Sequence, residues 1–163
     1  MLVGVVSDTH NNIKNIKRII YLFNEEKVDL VIHTGDISKA STLEIFSKLN
    51  SPLVGVFGNN DRIEEGLEKV CEQYNFNFQE PPLSLTLEHI KVAVFHEPEL
   101  IDDYIENNKD TKIVLHGHTH RYKEEKVGDI IYFNPGESAG FIEGKSAIGI
   151  IDISNLRIKR IFF

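Results

Sequence analysis

The sequence predicts an α/β protein folded as a two-sheet α-β-β-α sandwich. Three observations carry that expectation. The first half alternates short Val- and Ile-rich runs with amphipathic stretches of helical spacing, a βαβαβ order that argues for a parallel sheet. The second half holds pairs of apolar runs separated by turn residues, which read as hairpins. So many strands are best buried by two stacked sheets with helices outside.

The elements follow in order. Residues 2–7 form an apolar run read as a buried strand. Asn11 or Asn12 caps a helix whose Ile13, Ile16, Ile19, Ile20 and Phe23 make one apolar stripe. Residues 30–33 form a second strand, 40–49 a second helix, 53–57 a third strand and 64–74 a third helix. Residues 83–87 and 92–95 pair around Glu88-His89-Ile90-Lys91. A helix over 99–107 and a strand over 112–115 come next. Residues 124–127 and 130–133 flank Gly128-Asp129, a strong hairpin turn, and 147–153 pairs with 157–162 around Ser154-Asn155.

The 163 residues suit one domain spanning 1–163, and 41% apolar content supplies its core. One cysteine, Cys71, excludes an internal disulfide and a Cys-rich zinc site, which fits a reducing compartment. The opening Met-Leu-Val-Gly-Val-Val lacks a basic segment and is soon interrupted by Asp8, unlike a signal peptide. No apolar run reaches the ~18 residues of a membrane span, so a cytoplasmic, membrane-free protein is expected. A formal net charge of −7 disfavours a long nucleic-acid partner but not a small phosphate ester.

The polar residues just past the strand ends carry the chemistry. They are Asp8-Thr9-His10, Gly35-Asp36, Gly58-Asn59-Asn60-Asp61, His96 and His116-Gly117-His118-Thr119-His120. Ligands of open α/β sheets bind outside the carboxyl ends of the strands, so five distant segments converge on one edge. Each fragment alone reads as a turn, a cap or a strand-end histidine. Their conjunction, all with metal-ligand side chains, does not. Carboxylate and amide oxygens mixed with imidazole nitrogens, without thiolate, suit Mn, Fe, Co, Ni or Zn better than Mg or Ca.

The series Asp8-x-His10, Gly35-Asp36, Gly58-Asn59-x-Asp61, His96 and Gly117-His118-x-His120 resembles the calcineurin-like metallophosphoesterases, in particular the small phosphodiesterase branch related to the retromer subunit. The resemblance covers essentially the whole chain. It implies two divalent metal ions, one held by Asp8, His10, Asp36 and His120, the other by Asp36, Asn59, His96 and His118, with Asp36 bridging. It also implies hydrolysis of a small phosphate ester by a metal-bound hydroxide. Asn60, Asp61 and His96 are the candidate catalytic residues. The alternatives are a phosphomonoesterase, or a fold kept as a protein-binding scaffold.

Several positions depart from the pattern. Asn60 stands where many relatives have a histidine, and an amide cannot give up a proton. Poor leaving groups should suffer unless His116 takes that role; a strand-end or supporting role is the other reading of His116. Glu97 follows His96 where glycine is usual, and either repels doubly charged monoesters or caps the next helix. Glu137 separates Asn134-Pro135-Gly136 from Ser138. Gly136-x-Ser138-x-Gly140 mimics a nucleophile elbow, yet no histidine follows His120 to complete a triad. Gly140-x-x-x-Gly144-Lys145-Ser146 is one residue short of a phosphate loop. His33 reads as a strand-end residue, His89 as an exposed turn residue and Cys71 as a packed helix residue. The end Ile161-Phe162-Phe163 is either a contact for self-association or an ordinary packed strand.

Overall fold

The computed structural model describes all 163 residues. The first sheet takes β1 (Leu2–Val6), β2 (Leu30–His33), β3 (Leu53–Val56) and β4 (Asn77–Gln79), all parallel, with β10 (Ala147–Asp152) antiparallel beside β1 and β11 (Arg157–Phe162) antiparallel to β10 at the edge. Its strand order is β11-β10-β1-β2-β3-β4. The second sheet runs β5 (Leu83–Leu87), β6 (Ile90–Val94), β7 (Thr111–Leu115), β9 (Ile130–Asn134), β8 (Lys123–Val127). Its central three strands are parallel, and hairpin partners form both edges. The helices are α1 (Ile13–Glu25), α2 (Ala40–Leu43), α3 (Leu67–Tyr74) and α4 (Ile101–Asn107).

Three apolar clusters account for the four layers. Because strand side chains alternate, Val3 and Val5 of β1 point to one face and Val6 to the other. The first pair meets Val92, Val94, Ile113, Leu115 and Phe133 in the core between the sheets. Val6 instead joins Ile16, Ile19, Ile20 and Phe23 of α1 on the outer face. On the far side Ala93, Phe95 and Val114 pack with Ile101 of α4. The α-β-β-α sandwich is therefore the observed architecture. Asn12 is the α1 cap, accepting from the Asn15 amide at 3.1 Å.

Local details differ from the expected boundaries. The helix over 40–49 is one α turn followed by a 3₁₀ segment, Glu44–Lys48. Thr42 Oγ1 bonds back to the Lys39 carbonyl at 2.7 Å, a local alternative to regular helix. The helix over 64–74 starts only at Leu67, because Gly66 has φ 89°. The first hairpin turns on Glu88-His89 alone, with Leu87 opposite Ile90. Strand β4 went unread: three residues at a sheet edge carry too little period to show. Cys71 is buried in the α1–α3 cluster, and burial pushes its thiol up to about 11. His89 is exposed. Ile161 and Phe163 pack against the core, whereas Phe162 faces outward beside Arg160. No helix is long and apolar enough to cross a membrane.

His33, at the end of β2, is fully buried against Phe46 and Phe78. Its Nδ1 accepts from the Gly35 amide at 3.1 Å, so the proton sits on Nε2, 3.2 Å from Thr9 Oγ1. Burial pushes the imidazole down to about 3, and it stays neutral in the fold. Below pH ~6.5 the unfolded chain protonates this residue while the folded chain does not, so stability is lost as pH falls from there toward 3. In metal-free protein, His33→Gln is expected to flatten this acid limb by up to ~1.4 kcal/mol per pH unit, the slope of one proton. Urea denaturation between about pH 4 and 7 reads it; an unchanged slope contradicts the assignment.

Candidate metal centre

The carboxyl ends of β1, β2, β3, β6 and β7 meet at one rim, and main-chain bonds hold their loops side by side. The Asp8 amide donates to the Gly35 carbonyl at 3.0 Å and the His10 amide to that of Asp36 at 3.1 Å. Gly117 donates to the His96 carbonyl at 3.1 Å, joining the two loops of the second sheet. All seven expected ligands, Asp8, His10, Asp36, Asn59, His96, His118 and His120, come together there.

They form two adjoining groups. In one, Asp8 Oδ1 lies 3.4 Å from His120 Nε2 and 3.9 Å from His10 Nε2, and those two nitrogens are 3.2 Å apart. In the other, His96 Nε2 lies 3.0 Å from Asn59 Oδ1 and 3.5 Å from Asp36 Oδ1, and His118 Nδ1 lies 3.1 Å from the same Asn59 oxygen. Asp36 Oδ2 is 3.5 Å from His10 Nε2, so this carboxylate touches both groups. Asp8 also falls within reach of Asp36 and His96, which draws the two groups closer than the expected ligand sets imply.

These residues fit divalent metal ions. Asp8 Oδ1 is fully buried and has no hydrogen-bond partner, a costly state for a carboxylate oxygen. Donors ~2.1 Å from a common ion, at tetrahedral or octahedral angles, stand about 3.0–3.4 Å apart, close to most of the separations here. His96 Nδ1 donates to the Thr34 carbonyl at 2.8 Å, which in the neutral ring leaves the Nε2 lone pair directed toward the site. Burial opposes charge on Asp36, yet hydrogen bonds from His96 and Asn60 hold it well below the usual carboxylate range. The Asp8 carboxylate raises His120, while burial lowers His10.

Asn60 and Asp61, expected among the catalytic groups, both bond to Asp36 or to its loop. Asn60 donates to Asp36 twice, from its amide nitrogen at 3.0 Å and from Nδ2 at 2.7 Å. Asp61 is buried beneath the rim, where its carboxylate accepts the amides of Asp36, Gly58 and Ser38 at 2.9, 2.8 and 2.6 Å. Burial outweighs these bonds and pushes the Asp61 carboxyl up to about 6. It thereby ties the β2 loop to the β3 loop. Gly58 has no room for a side chain, since a Cβ would strike Asp36; one on Gly117 would strike Ser7 and approach Asp8 Oδ2 to 3.0 Å.

Backbone strain concentrates here. Asp8, His10, Asp36, His118 and His120 all have positive φ, between 38° and 64°. Such conformations cost of order 1–3 kcal/mol each for side-chain-bearing residues and persist where surrounding structure imposes them.

The departures find physical explanations. Glu97 neither caps the next helix nor faces the site as a free charge: Arg62 binds it bidentately at 2.8 and 3.2 Å. His116 is buried against Asn134, and burial lowers its pKa. The Asn134 amide bonds the Gly117 carbonyl at 3.0 Å and Thr119 Oγ1 at 3.2 Å, bracing the histidine loop. Ser138 is buried with its hydroxyl on the Ala147 carbonyl, so the apparent nucleophile elbow presents no nucleophile. The apparent phosphate loop runs directly into β10 and opens no helix. Phe141, unmentioned by any motif, lies against both His10 and His120. Only an aromatic in a Gly-rich loop hinted at it. Alongside His118 opens a cleft of about 790 Å³, lined in part by His116, Thr119, Arg121, Lys123 and Tyr132.

The strain generates a test. His118 is exposed with φ 64°, so in metal-free protein His118→Gly should be more stable than His118→Ala by about 1 kcal/mol. Both delete the imidazole, and only glycine relaxes the backbone. Equal stabilities by urea denaturation would remove the strain argument.

Comparison with known proteins agrees with this geometry. The profile of the Calcineurin-like phosphoesterase superfamily domain matches residues 1–156. Phosphodiesterase MJ0936 of Methanocaldococcus jannaschii is 31% identical over 167 residues, covering 99% of this chain and 98% of the relative. The solved structure of a novel archaeal phosphodiesterase superimposes with a TM-score of 0.89 at 30% identity, over 100% of both chains. Zinc-bound Vps29 from Entamoeba histolytica shares the fold alone, with a TM-score of 0.69 at 18% identity over 99% of each chain. On the profile match and the 31% identity, the chain belongs to the calcineurin-like phosphoesterase superfamily, as a metal-dependent phosphoesterase.

Proposed function

We propose that the protein is a phosphodiesterase working with two divalent transition-metal ions. The observation that carries this reading is the buried Asp8 Oδ1, which has no hydrogen-bond partner and lies among imidazole nitrogens, 3.4 Å from His120 Nε2. Asp8, His10, Asp36 and His120 would hold one ion, and Asp36, Asn59, His96 and His118 the other. Mixed oxygen and nitrogen donors suit Mn, Fe, Co, Ni or Zn. Ions bound there supply positive charge for the phosphate oxygens and lower the pKa of water from 15.7 toward ~7.

The protein's own residues orient this chemistry. His96 is fixed by the Thr34 carbonyl and Asp36 by Asn60, so neither turns when substrate enters. Asp61 acts at one remove, by holding the Asp36 loop. Asn60, committed to Asp36, gives no proton to a leaving group. His116 is a poor replacement, since burial already disfavours its charged form. Leaving groups that depart unaided are therefore preferred. The cleft beside His118 offers room for the second ester group of a diester, which a monoester lacks, and its wall carries charges of both signs, Arg121 and Lys123 with Glu99 and Asp102. The scaffold alternative has less support: a protein-binding fold gains nothing from five strained ligand residues.

Hydrolysis of bis(p-nitrophenyl) phosphate, beside p-nitrophenyl phosphate, after reconstitution with Mn, Ni, Co, Zn or Mg tests the proposal. Diester turnover should exceed monoester turnover and fall at least about a hundredfold in Asp36→Asn, with loss of tight metal binding. Metal binding without turnover would favour the scaffold. Asn60→His should raise the rate of alkyl leaving groups by about tenfold or more and change that of p-nitrophenolate little. Equal gains on both would sink the missing-acid argument.

A further inference from the structure

We infer that Phe141 is a specificity-determining residue, a shelf on which the aromatic ester group of a phosphodiester stacks beside the metal centre. The inference rests on the function proposed above. Phe141 is 63% exposed, although a phenyl ring contributes most when buried. Its ring lies nearly parallel to His120, 15° between planes with centroids 5.4 Å apart, and 5.2 Å from the His10 ring at 40°. These imidazoles are its only aromatic neighbours, and no cation covers its outer face.

That exposure belongs to a held position. Glu137, 1% exposed, accepts the amides of Gly140 at 2.7 Å and Ile142 at 3.3 Å, one on each side of Phe141. Asn12 Nδ2 donates to the Ala139 carbonyl at 2.6 Å, and Asn15 Nδ2 to that of Ser138 at 2.8 Å. A buried carboxylate, the α1 cap Asn12 and Asn15 of α1 thus fix a loop whose ring does little for the core. Burying a carboxylate is expensive unless hydrogen bonds compensate, and here they all shape this loop. A phosphate drawn to a metal ion held by His10 and His120 would bring its ester group beside the ring. A planar aromatic group can cover its open face, whereas a small alkyl group lacks both the area and the stacking interaction. Glu137 is then a positioning residue, which explains why it stands between Gly136 and Ser138.

Binding of phenylphosphonate and methylphosphonate to the metal-loaded protein, measured by calorimetry, tests the shelf without requiring turnover. The wild type should favour the phenyl compound. Phe141→Ala should cut that preference by about two- to tenfold and leave methylphosphonate affinity and metal content unchanged. Phe141→Leu, which keeps apolar area, should fall between them. Glu137→Gln should lose part of the preference with the Phe141 ring still present. An unchanged preference in Phe141→Ala, or an equal loss for both compounds, overturns the inference. Failure of both compounds to bind the wild type would instead bring down the proposed phosphate site, and the shelf with it.

Discussion

Two carboxylates, Asp8 and Asp36, are buried side by side at the ends of neighbouring parallel strands, and the rest of the rim is arranged around that charge. Unpaired buried charge is expensive, and like charges close together make it worse. Asp36 is compensated by Asn60 and His96, whereas Asp8 keeps one buried oxygen with no hydrogen-bond partner. A site that leaves this imbalance in its own fold is poised for positive charge from outside. Four imidazoles and one amide oxygen, all within a few ångströms, are the groups that would share in holding it.

Holding that arrangement requires a second tier of contacts, and the fold supplies it from below. Asp61 binds three main-chain amides across two loops, His33 joins the Thr9 hydroxyl to the Gly35 amide, and Asn134 braces the histidine loop of the other sheet. None of these faces the rim as a ligand. Their effect appears in the backbone, where five of the candidate ligands, Asp8, His10, Asp36, His118 and His120, sit in the left-handed region. Strain of that kind accumulates where geometry matters more than stability. The Arg62–Glu97 pair has a related effect, since it takes up a carboxylate that would otherwise add free negative charge next to His96.

The same logic extends outward. On the side of His118 the rim opens into a cleft lined by charges of both signs and by tyrosines; on the side of His10 and His120 it is bordered by Phe141. On the proposed function, these flanking surfaces and the leaving group decide which substrates are taken. Asn60, tied to Asp36, leaves that last choice to the substrate's own chemistry.

The layered fold and the polar residues that converge on the rim were legible in the sequence, because both obey local rules. Strand and helix periods mark the layers, and short Asp, Asn and His motifs fall just after apolar runs. What stayed hidden depends on residues far apart in the chain. That Asn60 is committed to Asp36, that Asp61 lies beneath the rim, and that Arg62 neutralises Glu97 are consequences of loops meeting in space. Strand β4 was invisible because an exposed three-residue edge has no period to detect. Phe141 was invisible for the opposite reason: its place beside His10 and His120 joins residues more than a hundred positions apart, or in separate loops, through a buried Glu137 that no motif includes. Sequence alone determined which donors the protein owns and at which strand ends they stand. Only the tertiary structure decided which of them face the centre, which support it, and what surrounds it, since hydrogen bonding and burial are properties of the packed loops.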